Sequence, residues 1–103
     1  MIERATTPSL RELRERLLRH SDELAHFHVR SLELFGSMAR GQARPESDID
    51  ILVTFDRPVD FFEFLDLEDY LASLVGRRID LVPRESIKPS LRERIEKEAV
   101  RVY

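Results

Sequence analysis

The fold is decided by the stretch Leu34-Phe35-Gly36-Ser37-Met38-Ala39-Arg40-Gly41, followed by Ser47-Asp48-Ile49-Asp50-Ile51-Leu52-Val53. The first segment predicts a strand, a glycine turn that carries a hydroxyl and a short helix, and the second predicts another strand. Side chains alternate between the two faces of a strand, so Asp48 and Asp50 point to the same face. Two carboxylates this close repel each other unless a cation lies between them. The pattern therefore predicts a cation site where the second strand begins.

The identity of the cation and of its ligand follows from the neighbouring residue types. Hard carboxylate oxygens favour Mg²⁺ over zinc. Gly36 and Ser37 lie at a strand-to-helix turn, where backbone N–H groups and a hydroxyl can bind phosphate oxygens. A D-x-D pair alone would equally fit a helix cap or a solvated strand edge. The compound pattern G-S-x-A-R-G-x5-S-D-x-D is far more specific, and it indicates nucleotide chemistry.

A third acid, Asp80, is predicted in the middle of an apolar strand between Ile79 and Leu81. Burying a carboxylate there costs free energy unless it is paired or bound to a metal. An ion pair with Arg77 or Arg78 is one explanation. The other is that this strand lies beside the strand of the first two acids, so that three carboxylates converge on a pair of metal ions. In that arrangement Asp80 would also help to remove the proton from an attacking hydroxyl.

Hydrophobic periodicity along the rest of the chain predicts helices and strands in alternation. The continuous apolar run at 51–53 is typical of a central strand covered on both faces. On the helix before Gly76, the apolar residues, Phe61 and Phe64 among them, are predicted to face the core. We therefore expect an α/β fold, a small mixed β-sheet with helices packed against it. The predicted elements are a helix capped by Thr7 or Ser9 and running to about His20 or Leu24, a strand at 29–35, helical turns at 37–43, a loop at 42–46, a strand at 49–55, a helix from Asp60 to Gly76, a strand at 78–82, a helix from Pro89 or Ser90 and an edge strand at 100–103.

Length and composition bound the class of protein. A chain of 103 residues allows one domain, residues 1–103, with one modest core. The net charge of −3 and the lack of a basic run argue against non-specific nucleic-acid binding as the main activity. The sequence has no cysteine, which excludes disulfides and cysteine–zinc sites. Neither a signal peptide nor an apolar membrane span is evident, so a cytoplasmic location is the expectation.

The two motif segments, together with Arg78-Ile79-Asp80-Leu81-Val82, resemble the nucleotidyltransferase superfamily of DNA polymerase beta. The small size is similar to that of the minimal nucleotidyltransferases, or MNT domains. The resemblance runs from about Leu32 to Val82 and implies a polymerase-beta-like palm core. It also implies that ATP is the substrate and that two Mg²⁺ ions are cofactors.

The resemblance assigns roles to individual residues of this sequence. Gly36 and Ser37 would bind the triphosphate. Asp48 and Asp50 would hold both Mg²⁺ ions, and Asp80 would hold one of them. Arg40 is also assigned to nucleotide binding, because it could reach a phosphate, although an ion pair with Glu46 or another acid fits it equally well. Weaker phosphate candidates, for which a solvated surface charge is the better explanation, are Arg44, Arg84 and Lys88.

The acceptor is expected to be another protein, since the sequence shows no large helical region that could bind tRNA, a polynucleotide or an antibiotic. Minimal nucleotidyltransferases of this kind resemble the antitoxin partners of HEPN-domain ribonuclease toxins, in which AMP is transferred from ATP to a toxin tyrosine. The resemblance therefore implies a protein adenylyltransferase that acts as an antitoxin. Two alternatives are a non-catalytic antitoxin that neutralises its toxin by complex formation, and a small-molecule nucleotidyltransferase.

Overall fold

The computed structural model describes residues 8–39 and 48–103, and of Ser37 and Met38 it describes the backbone alone. Helices and strands follow the predicted alternation. No helix in these two ranges is both long enough and apolar enough to cross a membrane. In chain order the elements are α1 Leu10–Arg19, α2 Ser21–His26, β1 Val29–Phe35, α3 Gly36–Ala39, β2 Ile49–Phe55, α4 Phe61–Val75, β3 Ile79–Pro83, a 3₁₀ turn Arg84–Ser86, α5 Pro89–Glu98 and β4 Val100–Arg101.

The strands form one mixed sheet in the order β3-β2-β1-β4. Strand β1 runs antiparallel to both β2 and β4, whereas β2 and β3 are parallel. A parallel pair needs a crossover connection, and α4 provides it. The predicted mixed α/β sheet is therefore confirmed, together with the short edge strand at the C-terminal end of the sequence.

The two faces of this sheet differ in what covers them. The core face packs against α1, α2 and α4, whose leucines 13, 17, 24, 67 and 71 are completely buried. Strand alternation and the pairing register place a different set of side chains on the opposite face, which we call the acid face. The core face carries Leu32, Leu34, Ile49, Ile51, Val53, Ile79 and Leu81, and the acid face carries Glu33, Phe35, Asp50, Leu52, Thr54, Asp80 and Val82.

Helix ends follow the capping signals in the sequence. The Asp60 carboxylate accepts a hydrogen bond from the Glu63 backbone N–H at 2.7 Å, and the Glu63 carboxylate accepts one from the Asp60 N–H at 3.2 Å. This capping box starts α4, and Gly76 ends it in the left-handed conformation at φ 74°. Ser9 caps α1 by accepting a hydrogen bond from the Glu12 N–H. These three predicted caps are confirmed.

Three predictions from the sequence need correction. The first helix ends at Arg19, which agrees with the predicted end at about His20, but the alternative extension through Leu24 is wrong, since a separate helix, α2, begins at Ser21. Strand β3 begins and ends one residue later than predicted. Phe61 is 68% exposed instead of buried, because it lies in the first turn of α4 and borders a surface groove.

Some predictions fall outside the described residues. They concern the Thr7 cap, the helical turns beyond Ala39 and the loop at 42–46 with its Arg44. Arg40 and Ser47 are also outside the described ranges.

Candidate functional site

Asp50 and Asp80 lie side by side on the acid face. They are register partners on the parallel strands β2 and β3, and neighbouring strands are about 4.8 Å apart. Asp48 directly precedes β2, two residues before Asp50, and its side chain is exposed. Asp80 is exposed as well, whereas Asp50 is half-buried. The backbone thus gathers the acids at the end of the sheet where β2 and β3 begin, as the sequence predicts for neighbouring strands.

Gly36 brings the turn after β1 directly against Asp50. Phe35, the last residue of β1, is the register partner of Asp50, so the chain turns into α3 beside that carboxylate. A Cβ atom at Gly36 would overlap with Oδ2 of Asp50 and would lie 3.2 Å from its Cγ. The φ angle of Gly36 is +69°, which side chains other than glycine adopt at a cost. Glycine is required here both for the turn and for the close approach of the acid.

The sequence left open whether Asp80 forms an ion pair with Arg77 or Arg78. The ion pairs found between described residues include neither of these pairs. Arg77 is buried, with 8% of its surface exposed, and it has interactions of its own. The Asp80 residue is exposed, and it lies on the acid face beside Asp50.

The carboxylates do not form a ready-made protein cage for a metal ion. Within residues 8–39 and 48–103, no group of three or more His, Cys, Asp or Glu side chains is arranged to hold one. Mg²⁺, however, is commonly bound through one or two carboxylates, with substrate phosphates and water completing its octahedral shell. Two neighbouring aspartates beside a turn fit that mode of binding, in which the nucleotide supplies part of the coordination.

Arg84 was expected either to bind phosphate or to be a solvated surface charge. The structure shows that it is not simply solvated, because it pairs with two carboxylates. Its guanidinium forms an ion pair with Glu33 through Nη1, and Nη2 donates to Oε1 of Glu96 at 3.2 Å. Glu33 is a member of the acid face that sequence reasoning did not assign to the site. The signal was present in the alternation of β1, which places Ser31 and Glu33 on one face.

The remaining predicted phosphate candidates are less informative. Lys88 is exposed and occupies the N-cap position of α5. The Ser37 side chain lies outside what the structure describes, as does Arg40. The assignments of Ser37 and Arg40 therefore stay predictions from the motif.

An apolar groove lies remote from the acids. Two adjoining cavities of about 260 and 380 Å³ lie where β2 and β3 end, opposite to the acid end of these parallel strands. Phe61 and Phe64 line the larger cavity, and Phe62 next to them is 75% exposed. Neither cavity is lined by Gly36 or by any of the three acids, although Arg84 lines the smaller one, so this groove is not the centre at which the acids act.

Comparison with known proteins agrees with this geometry. The family model described as the nucleotidyltransferase domain matches residues 10–102, which include the Gly36 turn and all three acids. The chain belongs to the nucleotidyltransferase domain family. Members of this family are enzymes that transfer nucleotidyl groups.

Individual relatives cover almost the whole chain. The protein adenylyltransferase MntA of Thermococcus cleftensis is 40% identical over 95 residues, which are 91% of this chain and 96% of that protein. A solved structure described as a candidate minimal nucleotidyltransferase superposes with a TM-score of 0.77 at 34% identity, covering 92% of this chain and 97% of that one. The fold is also shared, with a TM-score of 0.62 at 22% identity, with a chain from the complex of a tri-AMPylated Shewanella oneidensis HEPN toxin and its MNT antitoxin; 88% of this chain and 71% of that one are covered.

Proposed function

We propose that this nucleotidyltransferase is an antitoxin that transfers AMP from ATP to a tyrosine of a HEPN-domain toxin. The observation that carries the nucleotidyl-transfer reaction is the pair Asp50 and Asp80, in register on parallel strands, with the Gly36 turn packed against Asp50. The protein acceptor is supported by the 40% identity to MntA over nearly the full length of both chains. The HEPN toxin is supported by the fold shared with the toxin–antitoxin complex.

The proposed reaction is an in-line displacement at the α-phosphorus of ATP. The tyrosine oxygen forms a new bond to the α-phosphorus while the bond from that phosphorus to the bridging oxygen of the β-phosphate breaks. Pyrophosphate leaves with the electron pair of the broken bond. Asp80, exposed at the edge of the acid face, accepts the proton of the attacking hydroxyl. The backbone N–H groups at Gly36 and Ser37 hold the triphosphate beside the acids.

Asp48, Asp50 and Asp80 are the residues that would hold Mg²⁺. When bound, Mg²⁺ would offset the charge of the phosphate oxygens and the leaving pyrophosphate. The oxygen-only donor set of these residues fits that ion, and the neighbouring turn allows phosphate oxygens to complete the coordination. Without a counter-charge, three acids gathered at one end of the sheet would repel the triphosphate.

The test is the intact mass of the protein encoded beside this chain, taken as the candidate toxin, after incubation with this chain, ATP and Mg²⁺. The toxin should gain whole AMP units, and peptide mapping should place them on a tyrosine. Label should be transferred from [α-³²P]ATP and not from [γ-³²P]ATP, which distinguishes adenylyl from phosphoryl transfer. Removal of Mg²⁺ with EDTA should stop the transfer, and excess Mg²⁺ should restore it.

The stoichiometry of neutralisation separates this proposal from its rivals. A catalytic antitoxin inactivates a molar excess of toxin when ATP is present. If neutralisation instead needs one antitoxin for each toxin and leaves the toxin mass unchanged, the chain is a binding antitoxin. If the toxin is neither modified nor bound while a small acceptor such as an aminoglycoside gains AMP, the protein-directed activity is wrong.

A further inference from the structure

The Arg84 side chain spans the acid face from the end of β3 to β1. Arg84 follows β3 directly, yet its guanidinium reaches Glu33 on β1, so its side chain passes over β2 between them. The second guanidinium nitrogen donates to Glu96 on α5 at 3.2 Å. Both bonds are charge-assisted, and Glu33 is 19% exposed, so the pairing is partly shielded from water.

Helix α5 lies along this same face. Thr54 on β2 lines one cavity together with Arg84 and with Arg92 and Glu96 of α5. Leu52 is 1% exposed although it points away from the helices of the core face. The acid face is therefore covered over its middle, and the acids lie beyond the covered part, where β2 and β3 begin.

Helix α5 has no fully buried residue. Every one of its ten residues is exposed or half-buried, and Leu91 is 45% exposed. A helix without a buried apolar stripe gains little from packing, so polar contacts determine where it lies. The ion pair from Arg84 to Glu96 ties it to β1 through Glu33.

Helix α5 in turn contacts α3, the short helix that begins at Gly36. We propose that Arg84 is a positioning residue, which fixes α5 on the acid face and, through α5, keeps α3 and the Gly36 turn in place beside Asp50. The inference rests on the proposed function in so far as that turn is assigned to the triphosphate. Loss of Arg84 should then weaken ATP binding and leave the chemical step largely intact.

The experiment combines a structural and a kinetic readout. Hydrogen exchange measures the protection of the amides of α5 and of residues 36–39, and steady-state kinetics separate KM for ATP from kcat. The variants are Arg84→Met, Arg84→Lys and Glu96→Gln. The matched control is Arg94→Met, because Arg94 lies on the same helix, is exposed and pairs with Glu98 one turn away on α5 itself.

Arg84→Met should lose exchange protection in α5 and in residues 36–39 and should raise KM for ATP roughly fivefold or more, with kcat within about twofold. Glu96→Gln should repeat this pattern more weakly. Arg84→Lys keeps the positive charge but lacks the planar guanidinium that contacts both Glu33 and Glu96. This variant should therefore keep part of the exchange protection that Arg84→Met loses. Arg94→Met should match the unchanged protein in both readouts.

Two results would overturn the inference. One is unchanged protection of residues 36–39 in both Arg84→Met and Glu96→Gln. The other is looser α5 and α3 without any rise in KM for ATP. If the unchanged chain neither binds ATP nor transfers AMP, the proposed function fails. The exchange data on α5 and α3 would still decide whether Arg84 positions them.

Discussion

The core face and the acid face of the sheet are built from the same strands but differ in the residues they carry. On β2, Ile49, Ile51 and Val53 pack beneath the helices, whereas Asp50 and Leu52 point to the acid face. The core face is apolar and buried, and the acid face gathers like charges where β2 and β3 begin. If the proposed site is correct, stability comes mainly from the core face and nucleotidyl transfer from the acid face. Substitutions on the two faces should therefore separate the two properties.

The largest expected effect is the loss of activity when the paired acids of the motif are neutralised. Asp48→Asn with Asp50→Asn removes two of the three carboxylates assigned to Mg²⁺ but keeps the size of both side chains. AMP transfer should fall by at least about a hundredfold. The free energy of unfolding should change by about 1 kcal/mol or less. Transfer assays and urea unfolding on the same sample check both.

The assignment of stability to the core face and of activity to the acid face is wrong if this double variant is destabilised as much as a core variant such as Leu67→Ala. It also fails if the variant still modifies the toxin at an appreciable rate. Asp69→Asn is a suitable control, because Asp69 is an exposed acid on α4 that has no place in the proposed site.

The next effect is on stability and comes from the core face. Leu67 on α4 is completely buried, so Leu67→Ala removes apolar contacts and leaves a cavity. The free energy of unfolding should fall by about 2–5 kcal/mol. Leu18→Ala is the matched control, since Leu18 is 63% exposed, and it should change stability by about 0.5 kcal/mol or less. Urea unfolding measures both variants.

At a concentration of denaturant where the Leu67→Ala variant is still folded, its kcat should be close to that of the unchanged protein. A large loss of kcat in the folded variant would mean that the core face and the acid face are coupled. The separation of stability from activity would then be wrong.

The parts of the fold that the sequence predicted well depend on local signals. The bounds of β1 and β2 agree with the predicted ones, because the apolar pattern of β1 ends at Gly36 and that of β2 begins at Ile49, between the two acids. The ends of α4 followed from Asp60, Glu63 and Gly76, which act within one turn of the helix. Local signals of this kind can be read from the sequence because they act between residues that are close together in the chain.

The features that could not be predicted depend on residues far apart in the chain. Arg84 and Glu33 are separated by 51 positions, and nothing in either segment indicates their ion pair. The exposure of Phe61 could not be predicted for the same reason. Its spacing along the sequence matches the buried stripe of α4, but the groove that it borders is formed by residues from other parts of the chain. The adjacency of Asp50 and Asp80 was predictable only in part. The motif identifies both acids, but whether their strands are neighbours depends on the strand order of the sheet.

A smaller effect tests the contact between the turn and the acid. Gly36→Ala places a Cβ against the Asp50 carboxylate at a positive φ angle, whereas Gly76→Ala meets the same φ penalty with nothing within 4 Å. Both should lose about 1–2 kcal/mol of stability from backbone strain. Gly36→Ala alone should also lose roughly tenfold or more in AMP transfer, because Asp50 must move. Unfolding and transfer assays on the pair make the comparison.

If both glycine variants lose stability equally and Gly36→Ala keeps full activity, the close approach of the turn to Asp50 has no role in the reaction. If Gly76→Ala loses activity as well, the loss comes from general destabilisation. Either result would remove the argument that Gly36 couples the turn to the acid face.

The smallest effect concerns a polar group on the helix-packed side. The Tyr70 ring lies 5.1 Å from that of Phe27, and its buried hydroxyl has no hydrogen-bond partner within the part of the chain that the structure describes. Burial raises the pKa of Tyr70 above 10.0, and the nearby charge of Glu23 raises it further. Tyr70→Phe removes the unpaired hydroxyl, so the free energy of unfolding should rise by about 1 kcal/mol or less at neutral pH.

The advantage of Tyr70→Phe should grow as the pH rises beyond about 10. Because the folded-state pKa of Tyr70 is raised, the unfolded chain loses this proton first, and the unchanged protein loses stability as the pH rises through that range. The phenylalanine variant lacks this loss. Urea unfolding between about pH 8 and pH 11 measures the difference. A variant that is less stable at neutral pH would show that the hydroxyl is paired after all, and that the core face holds a polar contact of its own.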